Sequence, residues 1–110
     1  FLALGDSYTI GQSVDASQRF PVQTAELLKQ QNINVSSPGF IAVTGWTTGD
    51  LLNALNATPP ANTFDIVTLL IGVNNQYQGR SLNEYKIDFT ELLRRSVIYA
   101  GGKKVHIFVI

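Results

Sequence analysis

Residues 65–71 read Asp65-Ile66-Val67-Thr68-Leu69-Leu70-Ile71. From Ile66 onward, apolar side chains fill both alternating sets of positions, interrupted only by Thr68. A strand with one face in water alternates apolar with polar residues; a strand covered on both faces does not. The run therefore predicts a buried strand inside a sheet with layers packed on each side. It stops at Gly72-Val73-Asn74-Asn75-Gln76-Tyr77-Gln78-Gly79, a stretch rich in turn formers and amides.

Working outward from that strand, the elements alternate. Upstream, Pro59-Pro60 ends a short helix that runs through Leu52 and Leu55. Thr47 with Asp50 resembles a capping box at its start, with Asp in place of Glu or Gln. Phe40–Val43 is a short apolar stretch before it, and a short extended piece is expected at Asn34–Ser36, stopped by Pro38-Gly39. Pro21 suits the first position of a helix whose apolar side is Val22, Ala25, Leu27 and Leu28. Phe1–Leu4 reads as the end of another buried strand. Downstream, Ser81-Leu82-Asn83-Glu84 is the better capping box and opens the longest helix. Tyr85, Phe89, Leu92 and Leu93 recur there at helical spacing, and Gly101-Gly102 ends it. Val105–Ile110 is a β-rich run. This order implies a mostly parallel sheet with helices on both faces. The expected fold class is α/β: a flavodoxin-like three-layer α/β/α sandwich, one domain over residues 1–110, incomplete on its C-terminal side.

Composition narrows the function classes. The chain has 110 residues, 45% of them hydrophobic and 15% charged, which is globular usage. Eight basic residues balance eight acidic ones, so no field favours nucleic acid or an anionic membrane. The pairs Arg94-Arg95 and Lys103-Lys104 are too short for a polybasic patch and are expected at or beyond a helix end. The absence of cysteine removes disulfide and thiolate chemistry. No apolar run approaches the ~20 residues that span a bilayer. A Walker loop is excluded because no Gly-Lys-Ser/Thr follows Gly5, and a dinucleotide fingerprint because Gly5 lacks its Gly-x-Gly partner.

In parallel α/β sheets, ligands collect beyond the carboxyl ends of the strands. Three polar stretches lie just beyond extended segments: GDSYT (5–9), TGWTT (44–48) and GVNN (72–75). Ester hydrolysis by a serine needs a nucleophile, a base and donors for the oxyanion. Ser7 stands where a nucleophile belongs. Backbone near Gly45 and the Asn74 amide can supply donors, and a glycine lets the backbone approach a reacting carbonyl closely. Asp6, the immediate neighbour of Ser7, is geometrically unsuited to take its proton and reads as a cap or turn residue. Asp50 and Glu84 read as helix caps, and Arg80 as a solvated residue before one. Tyr8, Trp46 and Tyr77 are candidates for a substrate pocket, although large aromatics are commonly packing residues.

Together these three blocks, in this order, resemble the SGNH or GDSL hydrolases. The resemblance implies that Ser7 is the nucleophile and that Gly45 N–H, the Asn74 side chain and Ser7 N–H form the oxyanion hole. It implies a small-molecule acyl ester as substrate, with no cofactor and no metal. The family's last block, an Asp-x-x-His pair, has no counterpart. The only histidine is His106; Lys103, not aspartate, stands three residues before it, and it lies in the strand-like Val105–Ile110. His106 is therefore expected to be a packed residue. The chain is expected to be an N-terminal portion of such a hydrolase, clipped at both ends and inactive by itself, with an exposed strand edge prone to self-association. Two alternatives stand beside this. Residues 7–13 have the hydroxyl-rich, glycine-containing character of a flavin-phosphate loop on a flavodoxin-like sheet, and the same fold also serves non-catalytic binding domains.

Overall fold

A computed structural model describes all 110 residues, Phe1–Ile110. In chain order the elements are β1 (Leu2–Gly5), α1 (Ser7–Ile10), α2 (Phe20–Gln30), β2 (Gly39–Ala42), α3 (Thr48–Ala57), β3 (Val67–Leu70), α4 (Val73–Tyr77), α5 (Leu82–Tyr99) and β4 (Ile107–Val109). The four strands form one sheet in the order β2-β1-β3-β4, and every pairing is parallel. Gly5 is level with Ala42 on one side and Leu70 on the other, so three strands end at one edge.

Alternate side chains divide the two faces. Leu2, Leu4, Val67 and Leu69 pack with Leu51 and Leu55 of α3 and Leu92 and Tyr99 of α5, forming the main core. On the opposite face, Thr68 and Phe108 share a groove with Phe20, Thr24 and Leu28 of α2. Helices therefore lie on both sides of a parallel sheet, the architecture that the Asp65–Ile71 run implied.

Several expectations need correction. Asn34–Ser36 forms no strand. Asn32 turns left-handed with φ 62°, and the residues that follow are mostly exposed; the second strand is Gly39–Ala42, entered through a bond from Gly39 N–H to the Phe1 carbonyl of 2.9 Å. The C-terminal strand is only Ile107–Val109, because Lys104–His106 makes a 3-10 turn. Residues 73–77, part of the stretch rich in turn formers and amides, make a single helical turn.

The two capping boxes exchange rank. Thr47 and Asp50 form the complete box: Thr47 Oγ1 accepts from Asp50 N, and Thr47 N–H donates to the Asp50 carboxylate at 2.9 Å. At Ser81 only half forms. Ser81 Oγ accepts from Glu84 N at 3.1 Å, while the Glu84 carboxylate turns to Arg80 at 3.6 Å. Arg94 and Arg95 do not sit in the last turn of α5; both pair with Glu91. No helix is long and apolar enough to cross a membrane.

Candidate active site

Ser7 begins α1 directly beyond β1, and the turn that carries it is built by its neighbours. The Asp6 carboxylate accepts from Tyr8 N–H at 3.0 Å and so caps the turn. Gly11 closes it in the left-handed region, φ 72°, with its N–H bonded to the Ser7 carbonyl at 3.0 Å. Thr9 folds back over Gly5, where any Cβ would collide with the Thr9 side chain and the Leu70 carbonyl. Asp6 is 1% exposed. Burial pushes its carboxyl above the usual range, opposed by the backbone N–H groups of Tyr8 and of Asp6 itself. The segment that a flavin-phosphate loop would require is thus a capped helical turn.

The loop after β2 bends through Val43–Trp46, where Trp46 N–H reaches the Val43 carbonyl at 3.3 Å. Gly45 occupies the third position of that turn with φ 84°, the conformation glycine adopts without steric cost. After β3, Gly72 adopts φ 132° with its α-carbon against the Tyr85 ring, and the chain turns into α4. Asn74 and Asn75 then both reach back to the second loop. Asn74 Nδ2 donates to the Trp46 carbonyl at 2.9 Å. Asn75 Oδ1 accepts from Thr48 N–H at 2.9 Å, and its Nδ2 donates to Thr48 Oγ1 at 2.8 Å.

Ser7, Gly45 and Asn74 consequently stand on loops leaving three adjacent strands at the same sheet edge, with Ser7 on the middle one. The backbone N–H groups of Ser7 and Gly45 donate to no group of the protein. Asn74 spends one of its two amide protons on Trp46.

His106 is not with them. It precedes Ile107, which is level with Val67 and through it with Leu2, so His106 lies at the opposite, amino edge of the sheet. The strand between the two edges covers about 13 Å at ~3.3 Å per residue. Its Nδ1 is buried without a partner. The aromatic candidates separate as well. Trp46 packs against the core, Tyr77 is 90% exposed, and Tyr8 lines an open cleft of about 800 Å³ with Asp6, Gly72, Arg80, Leu82 and Tyr85. Ser7, Gly45 and Asn74 are not part of that lining. No group of three or more His, Cys, Asp or Glu side chains is placed to hold a metal ion.

Sequence reasoning passed over Asn75 and Thr48 as site-building residues. The only signal was that Thr48 and Asn75 end the second and third blocks.

The model of the GDSL-like lipase/acylhydrolase family matches residues 3–109. No curated protein matches the chain. Among solved structures, AlinE4, an SGNH-hydrolase family esterase, superposes with a TM-score of 0.80 at 22% identity over 98% of this chain and 56% of its own. TesA superposes with a TM-score of 0.83 at 17% identity over 98% of this chain and 57% of its own. The psychrotrophic esterase EstA from Pseudoalteromonas sp. gives 0.69 at 16% identity over 90% and 54%. At these identities the likeness is one of fold. The chain spans a little over half the length of these proteins.

Proposed function

The chain belongs to the GDSL-like lipase/acylhydrolase family, and from that premise we propose that it carries the nucleophile and oxyanion half of a serine ester hydrolase. Ser7 Oγ attacks the acyl carbonyl carbon, and the carbonyl electron pair moves onto its oxygen. Ser7 N–H, Gly45 N–H and Asn74 Nδ2 receive that oxyanion. The intermediate collapses, the alcohol leaves with a proton, and the acyl group stays on Ser7 until water repeats the sequence. The observation that carries the proposal is the set of free donors on three adjacent loops: two unspent backbone N–H groups and an amide whose orientation Trp46 fixes. Such donors work because they are held in place before charge develops.

The proton of Ser7 needs a base. Asp6 already holds Tyr8 N–H from the adjacent position in the chain, and His106 occupies the far edge of the sheet. The base is therefore proposed to lie outside residues 1–110, and the 110-residue chain alone is expected to turn over esters little or not at all. Tyr8, which lines the open cleft, is the proposed wall for part of an acyl ester; Trp46 and Tyr77 contribute less, one packed and the other projecting into solvent. The free edge of β4, with Phe108, Val109 and Ile110 more than half exposed, supports self-association of the isolated chain.

Ser7→Ala in the full-length protein, assayed on short acyl esters, tests the proposal. Loss of the nucleophile is expected to lower kcat by at least about 10⁴-fold. Turnover within twofold of the parent would remove Ser7 from the mechanism.

A further inference from the structure

Beyond the proposed donors lies a second set of bonds, two of them buried and the third part-buried. Thr48 is 0% and Asn75 4% exposed. Their side chains and the Thr48 N–H make the reciprocal pair of bonds described above. Thr48 Oγ1 then donates its own proton to Asp88 Oδ2 of α5 at 3.0 Å. One hydroxyl thus accepts from α4 and donates to α5, while the backbone beside it is held by the same asparagine. In a low-dielectric setting such a chain of bonds is cooperative, and each partner removed strands another.

The position of this network gives it a consequence. Asn75 is the immediate neighbour of Asn74, and Thr48 lies three residues beyond Gly45. The bonds therefore tie together the two loops that carry two of the proposed oxyanion donors. The Asn74–Trp46 bond orients the amide relative to the second loop, but it cannot fix either loop relative to the sheet. The Thr48–Asp88 link ties both to the long helix α5, which also holds the third loop through Tyr85 against Gly72. We infer that Asn75, acting through Thr48 and Asp88, is a positioning residue that holds the Gly45 and Asn74 donors at a set separation. It touches no reacting atom. The inference rests on the oxyanion assignment above and adds to it the device that keeps the site in register.

A double-mutant cycle in the full-length protein tests it. Asn75→Leu keeps the shape and removes both bonds to Thr48. It is expected to lower kcat by about 10- to 100-fold with KM within about threefold, since a misplacement of about 1 Å can cost ~10²-fold. In an Asn74→Ala background the same change is expected to cost kcat less than about threefold, because the Gly45–Asn74 separation that it sets no longer has a donor at its Asn74 end. Its effect on Tm is expected to be equal in both backgrounds, which a merely structural role would mirror in kcat. Should Asn75→Leu fail to fold, Thr48→Val, which keeps the backbone bond and removes only the hydroxyl, is expected to lower kcat by about 3- to 10-fold, and Thr48→Ser to restore it. Folded Asn75→Leu or Thr48→Val with unchanged kcat overturns the inference, as does a loss that is fully additive with Asn74→Ala. If Asn74→Ala itself leaves kcat unchanged, the oxyanion assignment falls first; if Asn74→Ala is slow and Asn75→Leu is not, only the positioning role falls.

Discussion

The two edges of the sheet are built by different means. At the carboxyl edge of β1, β2 and β3, polar groups are bonded across loops (Asn74 to Trp46, Asn75 to Thr48), from a loop to α5 (Thr48 to Asp88) and within a turn (Tyr8 to Asp6). Three glycines there stand where a side chain would collide or strain the backbone. At the amino edge of β4, a histidine stands with its Nδ1 buried and unpaired, beside an almost fully exposed Val105. The first edge sets its geometry with side-chain hydrogen bonds, although Thr9 Oγ1 is buried there without a partner; around His106 the bonds are between backbone groups, as from His106 N–H to the Lys103 carbonyl. A residue type with catalytic potential therefore means little apart from the edge on which it is placed.

The sharpest way to break this contrast is to put methyl groups on the glycines. At Gly72 an alanine combines φ 132° with a Cβ 2.7 Å from a ring carbon of Tyr85. Strain at such a φ costs roughly 1–3 kcal/mol and overpacking a further ~1–3 kcal/mol. Gly72→Ala is expected to lose about 3 kcal/mol or more of unfolding free energy, read from the urea midpoint at constant m. Gly45, at φ 84°, has nothing within 4 Å of the same added atom. Gly45→Ala is thus expected to lose only the left-handed penalty, about 1–2 kcal/mol. Equal losses at the two positions would mean that the close packing of the third loop on Tyr85 contributes nothing.

A smaller change tests the other edge. His106→Leu removes a buried nitrogen without a partner, and an apolar group of similar size carries no such desolvation penalty. Stability is expected to stay level or rise by up to about 1 kcal/mol, and ester turnover by the full-length protein to remain within twofold. A tenfold fall in kcat would show that His106 takes part in the chemistry from across the sheet.

These positions also explain what was legible in the sequence. The buried run at Asp65–Ile71 declared a parallel sheet because its pattern depends only on burial of both faces. Thr47-x-x-Asp50 declared a cap because the motif is local, and the complete box formed. Ser81-x-x-Glu84 looked stronger but formed only half, since Arg80 competes for the carboxylate and no local rule ranks a cap against a surface ion pair. The α4 turn was illegible. Its residues favour turns, and what holds them helical is distant: Thr48 and Trp46, more than 25 residues earlier. Asn75 escaped notice for the same reason. Amides at a strand exit are common, and only the fold reveals that this one is 4% exposed and closes a network. Asn34–Ser36 failed as a strand because nothing covers it, whereas Gly39–Ala42 lies against β1.

The smallest effect separates two carboxylates on pH grounds. Asp6 is raised above 3.8 by burial, and Glu91 is lowered from 4.5 to about 2, first by its hydrogen bonds from Arg94 and Arg95. The signs are opposite. For Asp6 the folded state binds the proton more tightly, so its contribution to stability is complete below 3.8 and is lost as the pH rises through the raised value. For Glu91 the folded state binds the proton less tightly, so its contribution is complete above 4.5 and is lost as the pH falls through about 2. Asp6→Asn keeps a side chain that caps well and removes the buried charge, so it is expected to be at least as stable as the parent at neutral pH and to lose its advantage in acid. Glu91→Gln is expected to be slightly less stable at neutral pH, with the difference closing in acid. Because Arg94 is largely exposed, about 0.5 M salt should shrink the Glu91 effect and leave that of Asp6 nearly unchanged. Urea melts across the acid range, with and without salt, read both slopes. If Asp6→Asn were markedly less stable at neutral pH, the charge on Asp6 would be needed to hold Tyr8 N–H, and the turn that presents Ser7 would rest on an ionic cap rather than a merely polar one.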